Sequence, residues 1–202
     1  MKKYFILCAI VFSISSFGQK VDTVIDNGIY KSHYCYQLKE PLYVTYWLYK
    51  GGGNYSRKGI VFTTDGLQIS AKATDYAKSG YEEGHLCNAE DFANDSISLR
   101  KTFHYYNCLP QTLKLNRGIW KHYETEIRKE SQTDSLFIIC GGEFQKCKFI
   151  GNGVAVPNSC WKMVFKGIEV VEILWFPNDN SDTVENIDLS ELENRLGYTI
   201  KF

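Results

Sequence analysis

Two periodicities divide the 202-residue chain. In PLYVTYWLYK, residues 41–50, aromatic and β-branched side chains recur on alternate positions until Gly51, Gly52, Gly53 and Asn54 interrupt them. GIVFTT at 59–64 follows, and SLFIICGGEF, CWKMVFKG and VVEILWFP form three further apolar runs separated by Gly, Asn and Pro. Runs of this length, rich in Val, Ile, Phe, Tyr and Trp and bounded by turn formers, predict strands. The helical period occurs in the centre. NRGIWKHYETEIRKES, residues 116–131, sets Ile119, Trp120, Tyr123 and Ile127 on one face among charged neighbours. ISLRKTFHYY is a shorter helical candidate. In IDLSELENRLGYTI, Asp188 and Glu191 have capping-box spacing and Gly197 supplies the stop. Strands at both ends around a central helix, with a closing helix, predict an α+β domain with a largely antiparallel sheet.

The first residues follow neither period. MKKYFILCAIVFSISSFGQ has two lysines, an apolar run from Tyr4 to Phe12, and Ser16 and Gly18 at −3 and −1 of a cut before Gln19. This is the pattern of a secretory signal over residues 1–18, because the run falls short of the roughly 20 residues a membrane span requires. Residues 19–202 then form a single domain of an exported protein, periplasmic or secreted. Losing Lys2 and Lys3 leaves 21 cationic against 23 acidic side chains, a net charge of −2. Proteins that grip a long stretch of polyanion are usually basic, so the balance argues against extended nucleic-acid binding while leaving room for a local patch. The six remaining cysteines are Cys35, Cys87, Cys108, Cys140, Cys147 and Cys160. An even count in an oxidising compartment invites disulfides. There is no C-x-x-C pair and the histidines are scattered, which weighs against zinc.

Candidate chemistry is concentrated in EEGH at 82–85, NCLPQ at 107–111 and LNRGIWKHYE at 115–124. Phosphodiester hydrolysis needs a base with a pKa near working pH, for which His85 qualifies. It also needs a hard divalent cation at the leaving oxygen, and such ions prefer oxygen ligands. An amide oxygen from Asn116 and a carboxylate from Glu124 suit that task. On one continuous helix the two would stand about 12 Å apart, too far to share an ion directly. Either Asn116 precedes the helix or Glu124 acts through water. In the alternative, Asn116 only caps the helix and Glu124 is a solvated acid. His33, His104 and His122 read as structural or surface residues.

The three clusters together resemble the DNA/RNA non-specific endonucleases, the ββα-metal or His-Me finger nucleases. GYEEGHL is similar to the family's Asp-Arg-Gly-His signature, NCLPQ to its Asn-x-x-Pro-Gln element, and LNRGIW with Glu124 to its metal-binding helix. The resemblance runs from about Tyr43 to the C-terminus. It implies an enzyme that hydrolyses DNA and RNA with little sequence preference. His85 falls on the general base, and Asn116 on the only direct protein ligand of magnesium, with manganese as the alternative ion. Glu124 falls on the carboxylate that holds a metal water, and Asn107 on a supporting polar residue. Arg57 or Lys58 falls on the phosphate-contacting cation. The resemblance also lays the segments of Cys87 and Cys108 side by side, making a bridge between them the counterpart of two buried thiols. One departure changes the expectation: Glu83 stands where the signature has arginine, and a carboxylate repels the phosphate that an arginine fork would bind. The alternative is therefore a nuclease-fold protein that binds nucleic acid with weak or no catalysis.

Overall fold

The computed structural model describes residues 19–201; the expected signal segment, residues 1–18, lies outside them. Seven strands build one antiparallel sheet. They are β1 (Thr23–Asp26), β2 (Tyr30–Cys35), β3 (Glu40–Leu48), β6 (Leu136–Glu143), β9 (Ser159–Lys166), β10 (Glu169–Pro177) and β11 (Glu185–Asn186), side by side in that order. The central strands β3, β6 and β9 are covered on both faces, which explains why their sequences are near-continuous apolar runs. Val44 pairs with Cys140 and Cys140 with Lys162, so a lysine occupies the middle of the sheet.

GIVFTT does not form the expected strand. Its only strand-like contact is a single bridge from Thr63 to His104. Ile60 and Phe62 instead pack against a small cluster of Ala89, Leu99 and Phe103, so tertiary packing overrides the local β preference. ISLRKTFHYY is α-helical over α2 (Ser96–Lys101), after the short α1 (Ala73–Tyr76), and its two tyrosines enter a 3₁₀ turn at Tyr105–Asn107. The C-terminal helix α5 (Leu189–Leu196) is built as its sequence indicates. The Asp188 carboxylate accepts the Glu191 N–H at 2.7 Å, and Leu192 and Leu196 enter the core.

Across one face of the sheet lies a two-stranded ribbon, β4 (Tyr81–His85) with β5 (Cys108–Thr112), followed by α3 (Leu113–Arg117) and α4 (Ile119–Glu130). A small separate hairpin joins β7 (Lys148–Ile150) to β8 (Val154–Val156). The fully buried Trp120 fastens α4 to the sheet, its ring 5.2 Å from Phe176, and burying a side chain of this size contributes about 2–3 kcal/mol. All six described cysteines are free thiols. The Cys87–Cys108 bridge is thus not formed: the Cys108 sulfur sits 3.7 Å from the Tyr76 hydroxyl, while the backbone of Cys87 is held by Asn107.

Candidate active site

The ribbon places the imidazole. Glu82 pairs with Gln111 and His85 with Cys108, so the EEGH and NCLPQ segments do lie side by side. Gly84 is required by this packing. A Cβ there would meet the buried Gln111 side chain at 2.1 Å, and that side chain is tied to the Cys160 sulfur at 3.4 Å. Beyond His85 the chain is pinned by Asn107. Its Oδ1 accepts the Cys87 N–H at 2.8 Å, and its Nδ2 donates to the carbonyls of Cys87 at 2.9 Å and Thr102 at 2.8 Å. Asn107 therefore fixes the strand from behind and does not face the site. The indole N–H of Trp120 donates to the His85 carbonyl at 3.2 Å, linking the ribbon to α4.

The His85 ring stands between Phe62 and Phe103, each at a centroid distance of 4.7 Å. The residue keeps some exposure, but its Nε2 is sealed and has no hydrogen-bond partner among the described residues. Burial, assisted by the positive charge of Arg57, lowers its pKa from 6.5 to about 3. The imidazole is consequently neutral at pH 7 and free to accept a proton, but its pKa lies well below the near-neutral value expected of the base.

The opposite wall comes from the two helices. Thr112 caps α3, its hydroxyl accepting the Leu115 N–H at 3.3 Å. Gly118 then separates α3 from α4: a Cβ there would lie 2.3 Å from the Lys114 carbonyl, so only glycine fits the break. Asn116 is thereby held in its own short helix rather than on the continuous one that would set it about 12 Å from Glu124. The Asn116 Nδ2 donates to the Glu82 carboxylate at 2.9 Å. A carboxylate only accepts, so this contact fixes the amide with its oxygen as the atom left for other partners.

Glu124 is buried on α4. Burial pushes its pKa up to about 7, and nearby Asp91 adds to the rise. Two neighbouring cations oppose it. Lys162 is 1% exposed, with its ammonium 4.3 Å from the Trp120 ring centroid, and Arg128 is tied to Asp91 at 2.7 Å.

His85, Asn116, Glu124 and Arg57 all line one cavity of about 530 Å³. Glu82, Glu83, Arg117 and Lys121 share it, whereas Lys58 is exposed outside it. Of the two expected phosphate-contacting cations, Arg57 is the one that reaches the site. Among the described residues no set of three His, Cys, Asp or Glu side chains forms a metal cluster. The oxygen of Asn116 and the carboxylate of Glu124 in a roomy polar cavity suit a hard ion that keeps most of its water, as magnesium does. The other histidines stand elsewhere: His33 stacks on Tyr43, His104 packs at a tilt against Tyr106, and His122 is exposed.

Sequence reasoning missed Glu82 as the orienting group and Lys162 as a buried cation beside Glu124. Glu82 carries no local signal, because its partner is 34 residues away. Lys162 does carry one, as a cation flanked by apolar residues near the start of the run CWKMVFKG.

Comparison with known proteins agrees with this architecture. The family model described as DNA/RNA non-specific endonuclease matches residues 11–201. A nuclease of Nostoc sp. is 31% identical over 140 residues, covering 61% of this chain and 51% of the relative. The mitochondrial endonuclease G of Bos taurus is 28% identical over 130 residues, 57% of this chain and 43% of its own. The mitochondrial nuclease EXOG of Danio rerio is 27% identical over 128 residues, 55% of this chain and 37% of its own. The chain thus spans about half or less of the length of these curated relatives. The crystal structure of the EndoG/EndoGI complex contains a chain of the same fold, with a TM-score of 0.77 at 21% identity, covering 90% of this chain and 86% of that one. The ribbon β4–β5 followed by α3 and α4 is the ββα-metal element of an α+β fold, and the chain belongs to the DNA/RNA non-specific endonuclease family.

Proposed function

We propose that the protein is an exported endonuclease that hydrolyses phosphodiester bonds in DNA and RNA with the help of magnesium. The observation that carries this reading is the convergence of His85, Asn116, Glu124 and Arg57 on a single cavity. Export rests on the charged, apolar and small-residue pattern of residues 1–18.

His85, neutral through burial, takes the proton of the attacking water. Arg57 meets the phosphate, and its positive charge adds to burial in keeping the resting imidazole neutral. Magnesium or manganese, held by the Asn116 oxygen with one of its waters on Glu124, would neutralise charge at the leaving oxygen. Glu82 orients the Asn116 amide, and Asn107 fixes the strand that carries His85. Contacts to backbone phosphate rather than to base edges account for indifference to sequence.

A second reading, binding with little cleavage, is favoured by one observation: Glu83 lines the same cavity and repels phosphate. Incubating the mature protein with supercoiled plasmid and with RNA, in magnesium or in chelator, separates the two. The nuclease reading expects nicking that requires the metal and falls by at least about 100-fold in His85→Ala. Equal nicking by that variant refutes the role of His85. Intact nucleic acid that is nevertheless retained on a gel supports the second reading.

A further inference from the structure

We propose that Arg117 receives the phosphate backbone of the substrate beside the reacting centre, and that Glu82 positions it there. This assignment rests on the nuclease reading. Arg117 is the last residue of α3, immediately after Asn116, and lines the catalytic cavity. Its side chain is 68% exposed, while that of Glu82 is 23% exposed.

The contacts fix the direction of the guanidinium. Its Nε donates to Glu82 Oε2 at 3.1 Å, and one terminal nitrogen donates to Oε1 of the same carboxylate. A guanidinium has five N–H bonds in a rigid plane, so three remain for a ligand. Oε2 also accepts the Asn116 amide, so one carboxylate orients the amide oxygen and the guanidinium together.

The charge pattern of the cavity gives the arrangement its purpose. Glu82, Glu83, Glu90 and Glu124 line the wall, against Arg57, Arg117 and Lys121. Glu90 is offset by Arg128 at 3.4 Å, and Glu83 presents its carboxylate from the ribbon. A phosphodiester entering this space needs cations aimed at its oxygens, and a pre-oriented arginine fork binds phosphate better than a mobile ammonium. Lys121 lies four residues beyond Arg117 and extends the positive surface along α4. As an exposed ion pair, Glu82–Arg117 adds little to stability, so holding the protein together does not account for the arrangement.

The test uses a fluorescent single-stranded oligonucleotide, with binding followed by anisotropy in chelator at several salt concentrations and cleavage followed in magnesium. Arg117→Gln is expected to weaken binding on the order of tenfold. It should also reduce the slope of log affinity against log salt by about 0.7, one phosphate contact on a single strand. KM should rise with kcat nearly unchanged, and Arg117→Lys should recover part of the loss. Glu82→Gln should alter both KM and kcat, because it also releases the Asn116 amide. Lys148→Gln, exposed on β7, should leave all readouts unchanged. An Arg117→Gln protein with the wild-type salt slope and KM overturns the assignment alone. A wild-type protein that neither retains nor cuts the oligonucleotide overturns the nuclease reading as well.

Discussion

Two buried carboxylates flank the ribbon that carries His85, and the structure treats them differently. Glu124 has cations close by, Lys162 and Arg128, and its pKa is held to about 7. Glu40, at the start of β3, has only the Tyr76 hydroxyl at 3.4 Å, and its other oxygen has no partner among the described residues. Burial, with Asp75 adding to it, drives the Glu40 carboxyl well above the ordinary range, against the opposing effect of Tyr76. One acid is held near neutral pH; the other is pushed by burial toward its uncharged form. Nearby buried cations make that difference, and they lie on the side of the ribbon where chemistry is proposed.

The comparison breaks most sharply at Lys162. Lys162→Met removes the cation with the larger effect and leaves Glu124 with Arg128 alone to oppose burial. Unfolding by urea at pH 8 should show a loss of about 3 kcal/mol. The loss should shrink at pH 5, where Glu124 is protonated. An equal loss at both values would mean that the lysine acts through packing on Trp120 alone.

A smaller effect tests whether burial without a counter-ion keeps a base neutral as it does an acid. His33 stacks on Tyr43 at 4.2 Å, and burial, with Lys31 nearby, lowers its pKa from 6.5 to about 4. The folded group binds its proton later than the unfolded one as pH falls, so its stabilising contribution is complete above pH 6.5 and is lost toward pH 4. His33→Gln should therefore flatten the acid side of the stability profile by about 2 kcal/mol at pH 5, measured as the difference from wild type. Parallel wild-type and variant curves between pH 7 and 4 would contradict neutral burial of this imidazole.

The smallest change is expected at Glu40 itself. If the acid is already protonated, Glu40→Gln replaces one neutral group by another of the same shape and should alter stability by less than about 1 kcal/mol at pH 7. A loss above about 2 kcal/mol would mean that an ionised carboxylate is being compensated in place, and the contrast with Glu124 would disappear.

What the sequence made legible follows the same division. Strands β3, β6, β9 and β10 were readable as apolar runs, and α5 through its cap and terminal glycine, because those signals are local. The catalytic candidates could be named because His, Asn and Glu occur in recognisable short motifs. GIVFTT misled, since its apolar residues are claimed by Leu99 and Phe103 rather than by a neighbouring strand. The grouping of Glu82 with Asn116 and Arg117 was invisible, as was the nearness of Lys162 to Glu124. Each depends on a register between elements far apart in the chain.

The break at Gly118 means that the two oxygen donors of the site are steered from different anchors. Asn116 follows the ribbon through Thr112 and Glu82, whereas Glu124 follows the sheet through Trp120. Because the Trp120 indole is bonded to the His85 carbonyl, a roll of α4 would act on the imidazole strand as well as on the gap between the two donors. The Gly118 junction is therefore the pivot at which the spacing of amide and carboxylate is set, with the acid and the imidazole strand coupled on one side of it and the amide on the other.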